Sequence, residues 1–141
     1  MTDQLERILF PLEVDGEGWP PYGAETMWAK QTPEGYYQID NSPWFAEKVA
    51  LGDIVSVVWP QEGNIAQYER TISHSGNVSL SVIILDESIE EEVTRFLEES
   101  DVWFEQGRPS SLLMYAVSVT SLDRYAPVRG KHPVRTAVRP L

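Results

Sequence analysis

A Ser-His-Ser-Gly run at residues 73–76 comes nearest to catalytic machinery in this sequence. It places His74 between two hydroxyl groups. Nucleophiles and their bases are assembled across a fold, however, and neighbours in sequence do not thereby share hydrogen-bond geometry. The chain also lacks the Gly-x-Ser-x-Gly pattern of a nucleophile elbow. We therefore predict an exposed turn here and no catalytic residue, and the other histidine, His132, is not predicted to be catalytic either.

Four carboxylates in the first half of the chain raise the question of a metal or acid–base site. They are Glu25, Asp40, Glu47 and Asp53. Carboxylates that converge in a fold bind hard cations or transfer protons. Their spacing has no loop signature such as alternating Asp-x-Asp-x-Asp. We predict neither a metal site nor a cofactor.

Three tryptophans, Trp28, Trp44 and Trp59, raise the possibility of a ligand pocket. Aromatic clusters line pockets, but large aromatic side chains more often fill cores because they bury so much apolar surface. We favour the core. A small-ligand-binding or enzymatic domain that uses an aromatic pocket stays open as an alternative.

An excess of acidic side chains is the strongest chemical signal. The 141 residues include 22 acidic and 11 basic side chains, for a formal net charge of −11. Residues 1–123 carry 22 acidic against six basic side chains, so their net charge is −16. Such a surface repels nucleic acid and anionic membranes and attracts basic proteins. The rate of association with a basic protein should be higher at low salt. Solubility alone is the other explanation. The remaining basic residues are Arg124, Arg129, Lys131, Arg135 and Arg139.

Residues 86–101 concentrate the negative charge on a predicted helix. Eight acidic side chains stand there against one basic residue, Arg95. We expect Arg95 to pair with Glu91 and Glu99 at four-residue spacing, and Ser88 with Glu91 matches a capping box. The apolar stripe that predicts the helix is Ile89, Val93, Phe96 and Leu97. The candidate partner-binding residues are Asp86, Glu87, Glu90, Glu91, Arg95, Glu98, Glu99 and Asp101.

The composition bounds the compartment and the size of the fold. A chain of 141 residues fits one compact unit without help from metal or disulfide. The absence of cysteine excludes a disulfide framework, a thiolate zinc site and a cysteine nucleophile. No apolar run approaches the ~20 residues that span a bilayer, and the N-terminus lacks the order of a signal peptide. We expect a soluble, cytoplasmic protein, and the oligomeric state stays open.

The first half of the chain reads as short strands with turns at close to regular intervals. This pattern favours a curved antiparallel sheet or partial barrel over residues 1–72. Within it, Ser42 and Pro43 predict the start of a helical turn, and Gly52 predicts its left-handed end. The predicted strands cover residues 7–14, 24–31, 36–40, 53–59 and 65–72.

The second half predicts a strand–helix–strand–strand layer over residues 73–119, so the fold class is α+β. The strands are expected at residues 77–85, 102–106 and 111–119, with the helix at residues 86–101. Residues 120–141 form a basic, proline-containing tail in which no strand or helix is predicted. Whether the tail is extended or covers the sheet stays open, and we expect it to fold back on the acidic surface.

Seventeen positions between residues 25 and 55 resemble the pattern of the bacterial domain-of-unknown-function family 4265. The resemblance covers about residues 5–119, and the basic tail departs from it. It implies no activity and no catalytic residue, and it points to the setting of bacterial toxin and immunity systems. The positions that carry it are Glu25, Met27, Trp28, Ala29, Tyr37, Ile39, Asp40, Asn41, Pro43, Trp44, Phe45, Val49, Ala50, Gly52, Asp53, Ile54 and Val55.

These observations favour a non-enzymatic, acidic protein-binding module, for example an immunity protein that neutralises a basic toxin such as a nuclease. Its partner would be a basic protein, and neither nucleic acid nor a membrane is expected as a ligand. The aromatic pocket is the first alternative. The second is a nucleic-acid mimic that inhibits a DNA- or RNA-binding protein, which needs acidic groups spaced like phosphates on one face.

Overall fold

A computed structural model describes residues 4–120 and the strand at residues 136–140. The strands in these residues form a five-stranded barrel and a four-stranded sheet. Of residues 136–140 only the backbone is described. The expectation that the basic tail folds back on the acidic surface therefore lies outside the described residues, as does His132.

The first five strands follow one another around a closed barrel. Each strand is antiparallel to the next, so in a series with an odd number of strands the first and last run in the same direction. They close the barrel by parallel pairing of Ile8 with Ala66 and of Leu9 with Gln67. The α+β prediction with a curved sheet or partial barrel is confirmed. The strands are β1 (Leu5–Pro11), β2 (Ala24–Gln31), β3 (Tyr37–Ile39), β4 (Ile54–Val58) and β5 (Ala66–Ser73).

Alternating side chains explain why these segments close around one core. In a strand, every second side chain points to the same face. In β2 the inward positions are Glu25, Met27 and Ala29, and the residues between them are exposed or half-buried. The register of β4 against β5 shifts twice, which bends the strand and helps to close the barrel. The buried core residues are Ile8, Phe10, Met27, Ala29, Tyr37, Ile39, Ala46, Val49, Val55 and Ala66.

The second half forms an antiparallel sheet covered on one face by a helix. The strand order is β7-β8-β6-β9, so β8 lies between β6 and β7, which the helix connects; this is a split β-α-β arrangement. The predicted strand–helix–strand–strand layer is confirmed. The elements are β6 (Val78–Ile84), α1 (Glu90–Glu99), β7 (Trp103–Gly107), β8 (Met114–Val119) and β9 (Thr136–Pro140).

The C-terminal strand β9 is an element that the sequence did not predict. Its five residues, Thr-Ala-Val-Arg-Pro, mix apolar, basic and proline positions, so their local preference for a strand is weak. It pairs with β6 over Leu80–Ile84, so an available sheet edge decides its conformation. The last residues of the basic tail therefore extend the sheet.

The helix α1 has the predicted apolar stripe but a different beginning. Val93 and Leu97 are buried against the sheet, with Ile89 and Phe96 packed beside them. A short 3-10 turn, Glu87–Ile89, precedes the helix, and the predicted capping box is wrong. Asp86 takes the capping role instead: its carboxylate accepts from the Ser88 N–H at 3.0 Å and from the Ser88 hydroxyl at 2.7 Å.

Residues 40–53, which we call the connector, lie between the barrel and the second sheet. Ala46 and Val49 pack into the barrel core, whereas Phe45 packs with Ile83 and Met114 of the second sheet. The predicted helical turn at Ser42 is wrong, because the connector has only bends and turns.

The connector folds without a helix because a carboxylate from the barrel takes its backbone donors. The Trp44 N–H donates to Oε1 of Glu25, and those of Phe45 and Ala46 donate to Oε2 at 2.9 Å each. These are donors that a helix start would have offered to its own cap. Ser42, predicted as that cap, is buried and instead donates to the Val117 carbonyl at 3.3 Å.

The connector's carbonyls point the other way and bind the second sheet. The Ser79 hydroxyl donates to the Val49 carbonyl at 3.1 Å, and the Ser81 hydroxyl donates to the carbonyl of Trp44. The amide of Asn77 donates to the Leu51 carbonyl at 2.8 Å. The N–H groups of residues 44–46 thus bond to the barrel, and the carbonyls of Trp44 and Val49 bond to the sheet, because buried backbone groups need partners.

Gly52 ends the connector with a backbone angle φ of 88°, as predicted. A Cβ here would lie 3.0 Å from the Ser75 Cβ, whereas Gly35, with φ of 90°, has no described atom within 4 Å of such a Cβ. The two glycines therefore share the backbone requirement but differ in crowding.

Replacing Gly52 with Ala should destabilise the protein more than replacing Gly35 with Ala. Both changes place a Cβ at positive φ, at a cost of about 1–2 kcal/mol. Gly52→Ala adds overpacking against Ser75, which we expect to cost a further ~1–3 kcal/mol. Urea unfolding of the two variants measures the difference directly. Equal losses of unfolding free energy would contradict the packing argument.

Candidate functional site

The acidic side of α1 faces away from the sheet. Glu91, Glu92, Glu98 and Glu99 are exposed, and Glu90 is half-buried. The flanking acids, at residues 86, 87 and 101, are exposed as well. The predicted partner-binding residues therefore form one surface, which we call the acidic face: Asp86, Glu87, Glu90, Glu91, Arg95, Glu98, Glu99 and Asp101.

Among residues 4–120, neighbouring cations neutralise little of this charge. The expected pairs of Arg95 with Glu91 and Glu99 do not form, because no ion pair within 4.0 Å joins these residues. Long exposed side chains lose more rotamer freedom in such a pair than the screened attraction returns. Arg108, from the loop after β7, instead donates to Glu87 at 2.5 Å. This hydrogen bond and the guanidinium charge lower the pKa of Glu87.

An open groove of about 380 Å³ runs between the acidic face and β7. Its lining combines three carboxylates with one guanidinium, one hydroxyl and one amide. The groove residues are Glu90, Glu91, Thr94, Arg95, Glu98 and Gln106.

A hydrogen-bond network centred on Tyr115 supports this groove. Tyr115 is fully buried, and its hydroxyl bonds to the Thr94 hydroxyl at 2.5 Å. The Gln106 amide donates both to this hydroxyl, at 3.1 Å, and to Oε2 of Glu90, at 3.2 Å. Burial raises the pKa of Tyr115. The network joins β8, β7 and α1, so Glu90 is held in place from beneath.

Sequence reasoning missed the groove's supporting residues. Thr94, Gln106, Arg108 and Tyr115 have no shared motif and stand up to 21 residues apart in the chain. Thr94 and Gln106 are single polar positions in otherwise ordinary helix and strand segments. Only the packing of α1 across β7 and β8 brings them together, so no local signal could have identified them.

The four carboxylates considered as a metal or acid–base site have separate structural surroundings. Asp53 accepts from the Ala50 N–H at 3.0 Å and the Ser75 N–H at 2.8 Å. Asp40 and Glu47 are exposed, and Glu25 is occupied by the connector. Within residues 4–120, the structure groups no three metal-ligating side chains of the histidine, cysteine or carboxylate types.

His74 lies in an exposed turn between β5 and β6. Its Nδ1 is 3.5 Å from Oδ2 of Asp53, and its side chain is 72% exposed. The neighbouring Ser75 hydroxyl donates to the Leu51 carbonyl at 2.7 Å, so its proton is directed away from the imidazole. The arrangement is one of a turn bonded to the connector.

The favoured prediction that the three tryptophans fill the core is wrong for Trp28 and Trp59, which are exposed, and the three rings lie in different places. Trp28 is on the outside of the barrel, 46% exposed, with the guanidinium of Arg7 5.9 Å from its ring. Trp59 is 60% exposed after β4. Trp44 is half-buried with its ring against Gly107, where an added Cβ would lie 3.0 Å from the ring. No ring contact joins any two of these described side chains.

The profile of a domain of unknown function, DUF4265, matches residues 25–131. The chain belongs to the DUF4265 family. The resemblance inferred from the connector and its flanking strands is therefore confirmed. The matched DUF4265 region begins at Glu25 and includes the connector, α1 and β7. The first 24 residues, which supply β1, lie outside it.

A solved structure shares the fold of this DUF4265 protein. It is the crystal structure of a hypothetical protein from Neisseria gonorrhoeae, with a TM-score of 0.66 and 18% sequence identity, over 99% of this chain and 95% of that one. At this identity the likeness shows the fold alone. No curated protein sequence matches the chain. Within the described residues, none of the helices has the length and apolar character needed to cross a bilayer.

Replacing Glu25 with Gln tests the carboxylate that holds the connector. Both oxygens of a protonated carboxyl can still accept a hydrogen bond, whereas the NH2 group of the amide cannot. The change therefore leaves a buried N–H of residues 44–46 without a partner, and we expect a loss of about 1–3 kcal/mol at pH 4. Burial outweighs the three N–H bonds and raises the pKa of Glu25. The stability that depends on the protonated carboxyl is complete below the ordinary glutamate pKa of about 4.3 and is lost as the pH rises through the higher folded value.

The difference in unfolding free energy between the wild type and Glu25→Gln should therefore shrink as the pH is raised from 4 to 7. Urea unfolding at each pH measures it. Glu47→Gln, an exposed carboxyl in the same connector, is the matched control and should change stability by less than about 0.5 kcal/mol. A difference that grows with pH would contradict the raised pKa.

Proposed function

We propose that this protein is a non-enzymatic binding module that presents its acidic face to a basic protein. The observation that carries the proposal is the unpaired charge on that face. Of the eight acids at residues 86–101, only Glu87 has a cationic partner within 4.0 Å in the part of the chain that the structure describes. The apolar stripe of α1 is buried, so the acids are directed outward.

The position of each acidic residue along α1 shows whether helix stability can explain its presence. Glu90, Glu91 and Glu92 lie in the first turn, where the positive end of the helix dipole favours them. Glu98 and Glu99 lie in the last turn, where the dipole disfavours negative charge and which itself contains no basic residue. Each carboxylate there costs helix stability of about 0.3–1 kcal/mol. Helix stability therefore does not explain these two residues, whereas a basic partner does.

The groove supplies a second reason to favour a binding surface. Glu90 is held by Gln106, which is itself held by the buried Tyr115 hydroxyl. A carboxylate that is already ordered loses less side-chain entropy when a partner binds. The acidic face thus combines exposed charges, which attract a partner from a distance, with the ordered charge of Glu90, which can set its orientation.

An immunity protein that neutralises a basic toxin, such as a nuclease, is the specific form of this proposal. Nuclease domains carry basic surfaces because they bind phosphates. We place this activity in the bacterial cytoplasm, which fits a chain without cysteine. Blocking such a surface requires charge complementarity and no catalytic group.

Charge reversal on α1 tests the proposal. The double variant Glu91→Lys, Glu98→Lys should bind the protein encoded beside its gene about 10- to 100-fold more weakly than the wild type, measured by calorimetry at low salt. The matched control Glu34→Lys, Glu62→Lys changes the net charge equally at two exposed turns of the barrel and should retain most of the affinity. No binding at low salt, or equal losses in both double variants, would refute the proposal.

One of these two substitutions, Glu98→Lys, should by itself raise stability while it weakens binding. Glu98→Lys replaces an unfavourable charge at the end of α1 with a favourable one, so we expect the unfolding free energy to rise by about 0.3–1 kcal/mol. Thermal unfolding at low salt measures this gain. A variant that is more stable but binds more weakly cannot have lost affinity by misfolding.

A further inference from the structure

The outer edge of β7 lies beside the groove and is open in the described structure. Of the described strands, β7 pairs with β8 alone, and β9 occupies the opposite edge of the sheet. Among the described residues, no backbone group of Trp103–Gly107 makes a hydrogen bond outside that ladder. The barrel, by contrast, is closed and has no edge. An open edge presents N–H and C=O groups that can pair with another extended chain.

We propose that an extended basic segment of the partner adds to the sheet as a strand along β7. The inference rests on the proposed function and specifies how the partner binds. In this mode, main-chain hydrogen bonds supply affinity, and alternate side chains supply specificity. The partner's backbone would pair with β7, and its basic side chains would enter the groove beside α1.

Side chains of β7 point alternately to the two faces of the sheet, so an added strand would also place its side chains on two different faces. Phe104 and Gln106 face α1, since Phe104 packs in the helix core and Gln106 lines the groove. Trp103 and Glu105 therefore lie on the other face, and both are exposed. Every second residue of the added strand would lie over the acidic groove. We expect Arg or Lys at those positions, with intervening residues beside Trp103 and Glu105.

Charge decides between a basic segment and a second copy of this chain. If two β7 strands paired antiparallel about their centre, Glu105 would stand opposite the same residue of the other copy, and like charges directly opposite are destabilising. The two acidic faces would also approach each other. A basic strand would instead meet Glu105 on one face and the groove carboxylates on the other. The edge is therefore protected against self-association and suited to a partner of opposite charge.

Backbone methylation distinguishes strand addition from simple charge attraction. The probe is the synthetic peptide acetyl-Thr-Arg-Val-Arg-Val-Arg-Thr-amide, titrated into the full-length protein at low salt. Two derivatives carry N-methyl groups at one or the other set of alternate positions and keep the same charge. Only one set of N–H groups faces β7 in a ladder. We therefore expect one derivative to bind at least about tenfold more weakly and the other to bind nearly as well as the parent.

Amide chemical shifts locate the binding, and charge variants connect it to the acidic face. The parent peptide should shift the amides of residues 103–107, and Glu91→Lys, Glu98→Lys should weaken it about tenfold while Glu34→Lys, Glu62→Lys does not. Equal binding by both methylated derivatives would overturn strand addition and leave the proposed function standing. Strand addition would also be overturned if the parent peptide did not bind. The same holds if sedimentation showed that the protein self-associates through β7. The proposed function is judged separately, on the partner protein.

Discussion

The carboxylate of Glu25 is the contact on which the arrangement of barrel and sheet depends. It is buried, and it accepts the N–H groups of three successive residues, 44–46. Three hydrogen bonds to this one side chain fix the path of the connector against β2. The connector's carbonyls are then left to serine and asparagine side chains on β6 and in the turn before it. One carboxylate thus determines which surface the second sheet can cover.

Local signals account for the parts of the fold that the sequence predicts well. Alternating apolar residues identify the strands of the barrel, and the stripe ending at Leu97 identifies α1, because both patterns are set by the geometry of a single element. Gly52 is equally local, since its positive φ is a property of one turn. Glu25 could not be assigned in this way. Its partners stand about twenty residues away in the sequence, and this separation matches neither the helical nor the strand period. The connector therefore looked like a helix start, although a distant carboxylate takes its donors.

The wrong capping box and the unpredicted strand β9 have the same cause as the wrong helix start. Ser88 has the spacing of a helix cap, but Asp86, a stronger acceptor two residues earlier, binds the Ser88 N–H and hydroxyl. Residues 136–140 have little preference for a strand, but β6 offers an edge for them. In each case a competing partner, absent from the local pattern, decides the conformation. The acidic side of α1 was predictable from the number of acidic residues and the helical period alone. The groove beside it depends on the packing of α1, β7 and β8.

The connector and the acidic face differ in whether their polar groups are satisfied within the chain. Around the connector, the buried polar groups of Glu25, Ser79 and Ser81 have partners inside the fold, so these residues have a structural role. On α1, Glu98 and Glu99 oppose the helix dipole and have no cation within 4.0 Å in the described residues. These two carboxylates are the groups on which we base the proposed partner. The outer edge of β7 has no described backbone partner either, and this is why we propose a basic strand as the ligand of the face and the edge together.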